Sequence, residues 1–572
     1  MRAWGNAPGN RRILLEKTLK ALASFLIVLV NAFSVATISE NGFPGALPQA
    51  GTSERPRRNY SSLSFQVHEI RQMVRKLALS IILCSLLCSA ASARLHDKTS
   101  RKHPSRSDIT LEKRIKRVEH GLLLPVAIKG QPNSSMTLVD RMRFYRVPAV
   151  SIAVIDKSSI AWARAYGVKQ SGASEPVDVE TLFQAASISK PIVAAATLHL
   201  VDRGKLRLDE EVNKRLVSWQ IPENEFTRQR PVTLRHLLAH SGGLTNHEVG
   251  TYGADQKVPT LIESLEGKPP ARNRPVYVDY VPGSRWRYSG GGYSVLQQLL
   301  IDVAGSSFPA FMDETVLKPL SMTHSFYEQP LAKEHALVAA VGHRFTGDPI
   351  KGGWVTLPEM AAGGLWSTPS DLALFVIELQ KSAAGRSNTV LSKAATSQML
   401  TPQISNMGLG ITVEGRGRSL HFSHGGSNPG FRCLMVGYAR TGQGAVVMTN
   451  SDLGADLVRE IIRSIAAEYK WPDYQPVIRQ TVPVDAKVFE TYVGQYDYAP
   501  GRSITVTTEN GRLFAQESRE FKSEILPESA TTYFSLLYNT ELRFVLNEKG
   551  QAVELIAHWA DDEEVVKAKR KN

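Results

Sequence analysis

Cysteine is almost missing from this 572-residue chain: three residues, Cys84, Cys88 and Cys433, two of them inside one short apolar stretch. If that stretch is removed on export, Cys433 stands alone and no internal disulfide can form, so the fold must rest on its core. There is no C-x-x-C pair and no histidine cluster at ligand spacing, so no metal site is expected. Charge of one sign is lacking from the body of the chain. The net charge of +14 sits at the front: residues 1–120 hold 20 Lys and Arg against 8 Asp and Glu, whereas the remaining 452 hold 48 against 46. A nucleic-acid binder needs a basic face on its folded part, and that class is excluded here.

Long apolar runs are confined to the leader, residues 1–93. Residues 21–38 are about long enough to cross a bilayer and follow Arg11, Arg12, Lys17 and Lys20. A second segment runs from Met73-Val74-Arg75-Lys76 through the apolar Leu77–Cys88 to Ala91-Ser92-Ala93, the layout of a bacterial secretory signal peptide over 73–93. Two readings stay open. Either residues 1–72 lie upstream of the true start and the protein is periplasmic or secreted, or 21–38 anchors it to the inner membrane. Contact with a membrane is expected only through this leader. No small residue precedes Cys84 or Cys88 at the position a lipoprotein signal needs.

Beyond the leader, residues 94–125 form a polar arm or N-terminal helix, with Lys113–Arg117 as a solvated face. A unit follows over 126–471. It opens with a hairpin, AVSIAVI and IAWARAYGV around Asp156-Lys157-Ser158. Helices are expected over Ile188–Arg203, closed by Gly204, and over 232–239, 293–304, 370–383 and 453–469. Thr368-Pro369-Ser370-Asp371 is a capping box with proline at the first helical position. Strands are expected at 432–439 and 444–449. Strands at both ends with helices between them indicate one antiparallel sheet covered by helices, an α+β arrangement. Residues 472–483 are proline-rich and linker-like. Residues 484–572, with short alternating segments around Asn510-Gly511 and Lys549-Gly550, indicate a small β-barrel.

The chemistry centres on Ser187-Ile188-Ser189-Lys190. With Ser187 opening a helix, Lys190 lies one turn on and on the same face, near enough to take the serine proton. Taken alone, S-x-x-K recurs by chance and capping serines are common. About 100 residues later, Tyr288 precedes Ser289-Gly290-Gly291-Gly292, where a phenol held in a cleft can relay a proton. His424-Gly425-Gly426-Ser427 follows at a strand edge, where glycines allow a substrate backbone to approach. Ser189 is read as a hydrogen-bonder of the helix turn. His236 and His240 read as packed histidines on an apolar helix. Trp354, Trp366 and Tyr293 suit a cleft wall or the core equally, and Arg432 suits a surface salt bridge better than a substrate contact.

In that order and spacing, Ser187-x-x-Lys190, Tyr288 and His424-Gly425-Gly426 resemble the three motifs of serine β-lactamases and penicillin-binding proteins. The resemblance is to the class C β-lactamase, D-alanyl-D-alanine carboxypeptidase and family VIII esterase branch. It covers roughly residues 130–470 and includes Thr233–Leu244 and Ala362–Thr368. The tail over 484–572 resembles the lipocalin-like domain attached to many relatives. The resemblance implies Ser187 as nucleophile, Lys190 as base or proton relay, and Tyr288 sharing base duty and protonating the leaving group. It implies an oxyanion hole from the backbone N–H groups of Ser187 and Ser427, with His424 in the place of a carboxylate-anchoring lysine.

Two departures bear on the substrate. Gly290 stands where the second motif usually has Asn, and His424-Gly425 replaces Lys-Thr, so a dedicated β-lactamase is disfavoured against an esterase or D-peptide hydrolase. The expectation is a serine hydrolase working without cofactor or metal on a small-molecule or peptide substrate, peptidoglycan-derived peptides included. The rival is a silent binding module, which the complete Ser/Lys/Tyr set opposes.

Overall fold

The chain divides into two units, Met1–His103 and Pro104–Asn572. The computed structural model describes residues 106–132, 136–518, 520–559 and 565–571. The leader segments 21–38 and 73–93 lie outside the described residues. Among the described residues no helix is long and apolar enough to cross a membrane.

The second unit is organised by a six-stranded antiparallel sheet. After a short β1 (Val126–Ile128), β2 (Ala149–Asp156) and β3 (Ser159–Gly167) form the expected hairpin, with Lys157 and Ser158 in left-handed backbone at its tip. A two-residue β4 (Phe183–Gln184) pairs with β5 (Trp366–Ser367). Then come β6 (Thr412–Glu414), β7 (His421–Asn428), β8 (Phe431–Tyr438) and β9 (Gly444–Thr449), and the sheet order is β3-β2-β9-β8-β7-β6. Side chains alternate between its two faces, as a period of two demands. Met435, Val446 and Met448 join the core that contains helix Ser189–Asp202. Val436, Ala445 and Val447 pack against helix Gly454–Tyr469 on the other side. The result is the anticipated helix-covered antiparallel sheet, and the long helices fall where the periodicity put them: Gly290–Ala304, Pro369–Ala383 and Gly454–Tyr469.

The polar segment before the sheet contains helix Arg106–Glu119. Its charged run is more than a solvated face: Arg117 donates to Glu468 at 2.7 and 2.8 Å, while Ile115 and Val118 are buried. On the same side, Arg141 donates to Glu460 at 2.8 Å, and the Tyr145 hydroxyl donates to Glu460 at 2.7 Å. This knot is buried and ties helix Leu138–Phe144 to helix Gly454–Tyr469.

After the sheet, β10 (Val477–Arg479) pairs in parallel with β1, so the proline-rich stretch is held to the start of the unit. Eight further strands close into an antiparallel barrel: β11 (Gly494–Ala499), β12 (Arg502–Glu509), β13 (Arg512–Glu517), β14 (Ser523–Pro527), β15 (Thr532–Ser535), β16 (Thr540–Leu546), β17 (Ala552–Trp559) and β18 (Val565–Arg570). Asn510 and Gly511 both take positive φ in the two-residue turn between β12 and β13, the geometry that Asn-Gly favours. Tyr496, Val506, Tyr533, Phe544 and Leu555 fill the barrel core. From the loop before β14, Phe521 packs on Phe144 and Tyr145 of the sheet-bearing unit at ring distances of 5.2 and 5.4 Å.

Removing one member of a buried ion pair leaves the other uncompensated. Glu460→Gln is expected to lower unfolding stability by about 3–5 kcal/mol in urea denaturation, with activity per folded molecule kept. An unchanged midpoint would remove the knot from the forces holding this face.

Candidate active site

Ser187 lies half-buried in a single 3₁₀ turn, Ala186–Ile188, that runs straight into helix Ser189–Asp202. Ala186 has φ +50, a left-handed conformation that costs a non-glycine residue of order 1–3 kcal/mol and is found where the surroundings over-determine the backbone. Those surroundings are visible. Ser189 Oγ donates to Ala186 O at 2.6 Å and accepts from Leu365 N at 3.0 Å, which makes it the turn-holding hydroxyl the sequence suggested. Cys433 Sγ lies 3.1 Å from Ala185 O.

Lys190 falls one turn on, with only 2% of its surface exposed. Its Nζ donates to Ser187 Oγ at 3.1 Å and to Ala362 O at 2.6 Å. Its charge lies 4.7 Å from the ring centre of Tyr288 and 5.6 Å from that of Tyr293, near enough for cation–π attraction. Tyr288 is half-buried beside three imidazoles: His240 stacks at 4.4 Å, His247 lies at 5.1 Å and His424 at 6.5 Å. The serine, lysine and phenol of the three motifs therefore share one cleft of about 820 Å³, walled on another side by His424, Gly425, Gly426 and Ser427.

The third motif is itself a strand, β7, rather than a turn at a strand edge. Its partner β6 reaches only residues 421–423, so His424–Asn428 keep an unpaired edge on that side. Gly425 is exposed and nothing but Cys433 O comes within 4 Å of a β-carbon placed on it, whereas a β-carbon on Gly426 would stand 2.3 Å from Ala185 O and 2.2 Å from Cys433 Sγ. Gly426 is thus small to let β7 press against the Ser187 turn. Two of the glycines after Tyr288, Gly290 and Gly291, have the same cause. A β-carbon on Gly290 would lie 3.0 Å from His247 O, and one on Gly291 would lie 2.6 Å from Thr245 O. The loop over residues 245–249 fills the space where an amide side chain would have projected.

His424 is buried, and its Nδ1–H donates to Gly425 O at 2.7 Å. Burial first, then the neighbouring Lys190 charge, lower its pKa to about 4, so at neutral pH the ring is uncharged and leaves Nε2 as an acceptor. Arg432 is not at the surface. It pairs with the buried Asp452 at 3.1 Å, donates to Asn428 O at 2.7 Å, and burial pulls its pKa down. Trp366 and Tyr293 are core residues; they do not line the cleft. His240 lies beyond its short helix, Leu234–Leu238, at φ +54.

Several residues of the cleft carry no signal in the sequence reading. The Ala362 carbonyl acts through backbone, which no side-chain motif reveals, although the Ala362–Thr368 stretch stood out as family-like. At the rim, Trp286 and Phe345 are 42% and 54% exposed beside Val249 and Arg344. No cluster of three or more His, Cys, Asp or Glu able to hold a metal occurs among the described residues.

Comparison with known proteins fits this geometry. Residues 137–470 match the beta-lactamase family, and residues 479–570 match a domain of unknown function, DUF3471. The chain belongs to the beta-lactamase family and is a serine hydrolase of it. It is 22% identical to penicillin-binding protein 4* of Bacillus subtilis over 73% of this chain and 95% of that one. It is 31% identical to esterase EstB of Burkholderia gladioli, over 39% of this chain and 58% of the esterase. The octameric penicillin-binding protein homologue from Pyrococcus abyssi has a similar fold, with TM-score 0.51 and 21% identity, over 76% of this chain and 98% of that one.

The state of His424 makes a stability prediction. Folded, it takes a proton only near pH 4; unfolded, near 6.5. Between those values the unfolded chain binds more protons, so stability falls as pH drops through this window. His424→Gln is expected to remove about 2–3 kcal/mol of the stability difference between pH 7 and pH 4.5, read by urea denaturation. Parallel curves for the two proteins would mean that the ring is not held uncharged.

Proposed function

We propose that Ser187 forms a covalent acyl-enzyme with an ester or amide substrate and transfers the acyl group to water. The observation that carries this reading is the 3.1 Å contact of Lys190 Nζ with Ser187 Oγ at the floor of an open cleft. In the reacting state Lys190, having released one proton from its ammonium, takes the serine proton as Oγ attacks the carbonyl carbon. The oxyanion is stabilised by the backbone N–H groups of Ser187 and Ser427. Tyr288 passes its proton to the leaving oxygen or nitrogen, which departs as alcohol or amine, and is reprotonated from Lys190. Water then enters along the same path in reverse and releases the acid.

The cleft suits D-amino-acid peptides, amides and short esters, with weak β-lactamase activity at most. An uncharged His424 offers no cation for a β-lactam carboxylate, and Gly290 offers no amide for the substrate. The exposed Trp286 and Phe345 favour apolar groups on the substrate. Penicillin-binding protein 4* and esterase EstB, by their names, stand on the two sides of this choice. We place the reaction outside the cytoplasm on the strength of the 73–93 leader pattern, with a catalytic unit over 126–471 and a barrel over 484–572 as an accessory domain.

The test is active-site labelling joined to a substrate panel. A fluorophosphonate should label the wild type at Ser187, and Ser187→Ala should abolish labelling and lower kcat by roughly 10³-fold or more while the fold is kept. p-Nitrophenyl butyrate and D-amino-acid amides should outrun nitrocefin by about 100-fold in kcat/KM. Labelling that survives in Ser187→Ala, or nitrocefin as the best substrate, would overturn the reading.

A further inference from the structure

His240 touches each residue of the segment that presents the phenol. Its carbonyl oxygen accepts from Arg287 N at 2.9 Å, its Nδ1 accepts from Ser289 N at 3.1 Å, and its ring stacks on Tyr288 at 4.4 Å with an interplanar angle of 28°. The left-handed backbone at His240 turns its carbonyl and its ring toward the same three residues. The segment is fastened on both flanks as well. The Arg287 guanidinium donates to Asp279 at 2.9 Å and to Leu244 O at 3.0 Å, and Ser289 Oγ donates to Thr245 O at 2.9 Å.

The ring is 99% buried, and its Nε2 has no hydrogen-bond partner among the described residues. Packing alone would be better served by phenylalanine, which strands no polar atom. An imidazole here is explained by the other nitrogen: Nδ1 must accept from Ser289 N, which puts the single proton of the uncharged ring on Nε2. Burial first, and then the Lys190 charge, keep a second proton off.

We infer that His240 is a positioning residue: it clasps residues 287–289 and so sets where the Tyr288 hydroxyl stands relative to Ser187 and Lys190. This inference rests on Tyr288 acting as the proton relay of the proposed reaction. A phenol free to shift by about 1 Å would lose on the order of 100-fold in rate, with substrate binding little altered. The clasp therefore belongs to kcat, not to KM.

Two variants of the full chain test it. His240→Phe keeps the stacked ring and loses the acceptor. His240→Asn keeps an acceptor oxygen for Ser289 N, loses the stack, and tolerates left-handed backbone better than phenylalanine does, so it folds even where the first variant does not. Two readouts are taken: single-turnover acylation by p-nitrophenyl butyrate, and the ¹⁹F resonance of 3-fluorotyrosine at position 288, assigned by its loss in Tyr288→Phe. The expected result is a roughly 100-fold slower acylation in His240→Phe, about 10-fold slower in His240→Asn, KM within about twofold, and a displaced Tyr288 resonance in both. Wild-type acylation rates in a folded His240→Asn, or an unmoved resonance, would overturn the clasp. If the wild type is not acylated at Ser187, the functional reading fails by itself. The resonance then still decides the clasp: displaced supports it, unmoved overturns it.

Discussion

A single ammonium group enclosed by protein governs this structure. Lys190 meets one hydroxyl, one backbone carbonyl and the faces of two tyrosines, and no carboxylate pairs with it among the described residues. Burying a charge without a counter-charge is costly unless it is hydrogen-bonded. Each neighbour reflects that cost. His424 and His240 are both kept uncharged beside it, Ala362 offers its carbonyl, and the strained Ala186 turn delivers the Ser187 oxygen to the remaining direction.

The scaffold serves the same end from a distance. The Ser187 turn is wedged between β7, whose Gly426 leaves room for Ala185 O, and the β4–β5 pair, through which Leu365 O accepts from Ala185 N. Behind it, helix Ser189–Asp202 is apolar on nearly all sides and almost wholly buried. A helix with no solvated face cannot rotate to relieve strain at its first turn. The geometry at Ser187 is thereby tied to the packing of the entire core.

Much of this was legible in the residues. Long amphipathic or apolar helices and the hairpin with an Asn-Gly tip announce themselves through period and turn chemistry, and the three motifs converge as their order suggests. What escaped has a common cause: it depends on space or backbone, not on side-chain identity. The Ala362 carbonyl has no sequence signature. Gly426 reads as an opening for a ligand and is also a close approach of protein backbone, as are Gly290 and Gly291. β7, built of His, Gly and Ser apart from Phe422 and Asn428, lacks the β-branched residues by which strands are recognised. His240 reads as helical because a histidine in left-handed backbone leaves no mark in the sequence.

The parallel pairing of β1 with β10 has an architectural meaning. The chain entering the hydrolase unit is hydrogen-bonded to the chain leaving it, at Val126–Ile128 and Val477–Arg479. Next to that seam, Phe521 covers the rings of Phe144 and Tyr145. The barrel is therefore no pendant module on a swinging tether. It is held against the rear helices by this aromatic contact, and a chain cut back to the family-like segment alone would leave the Phe144 and Tyr145 rings without it.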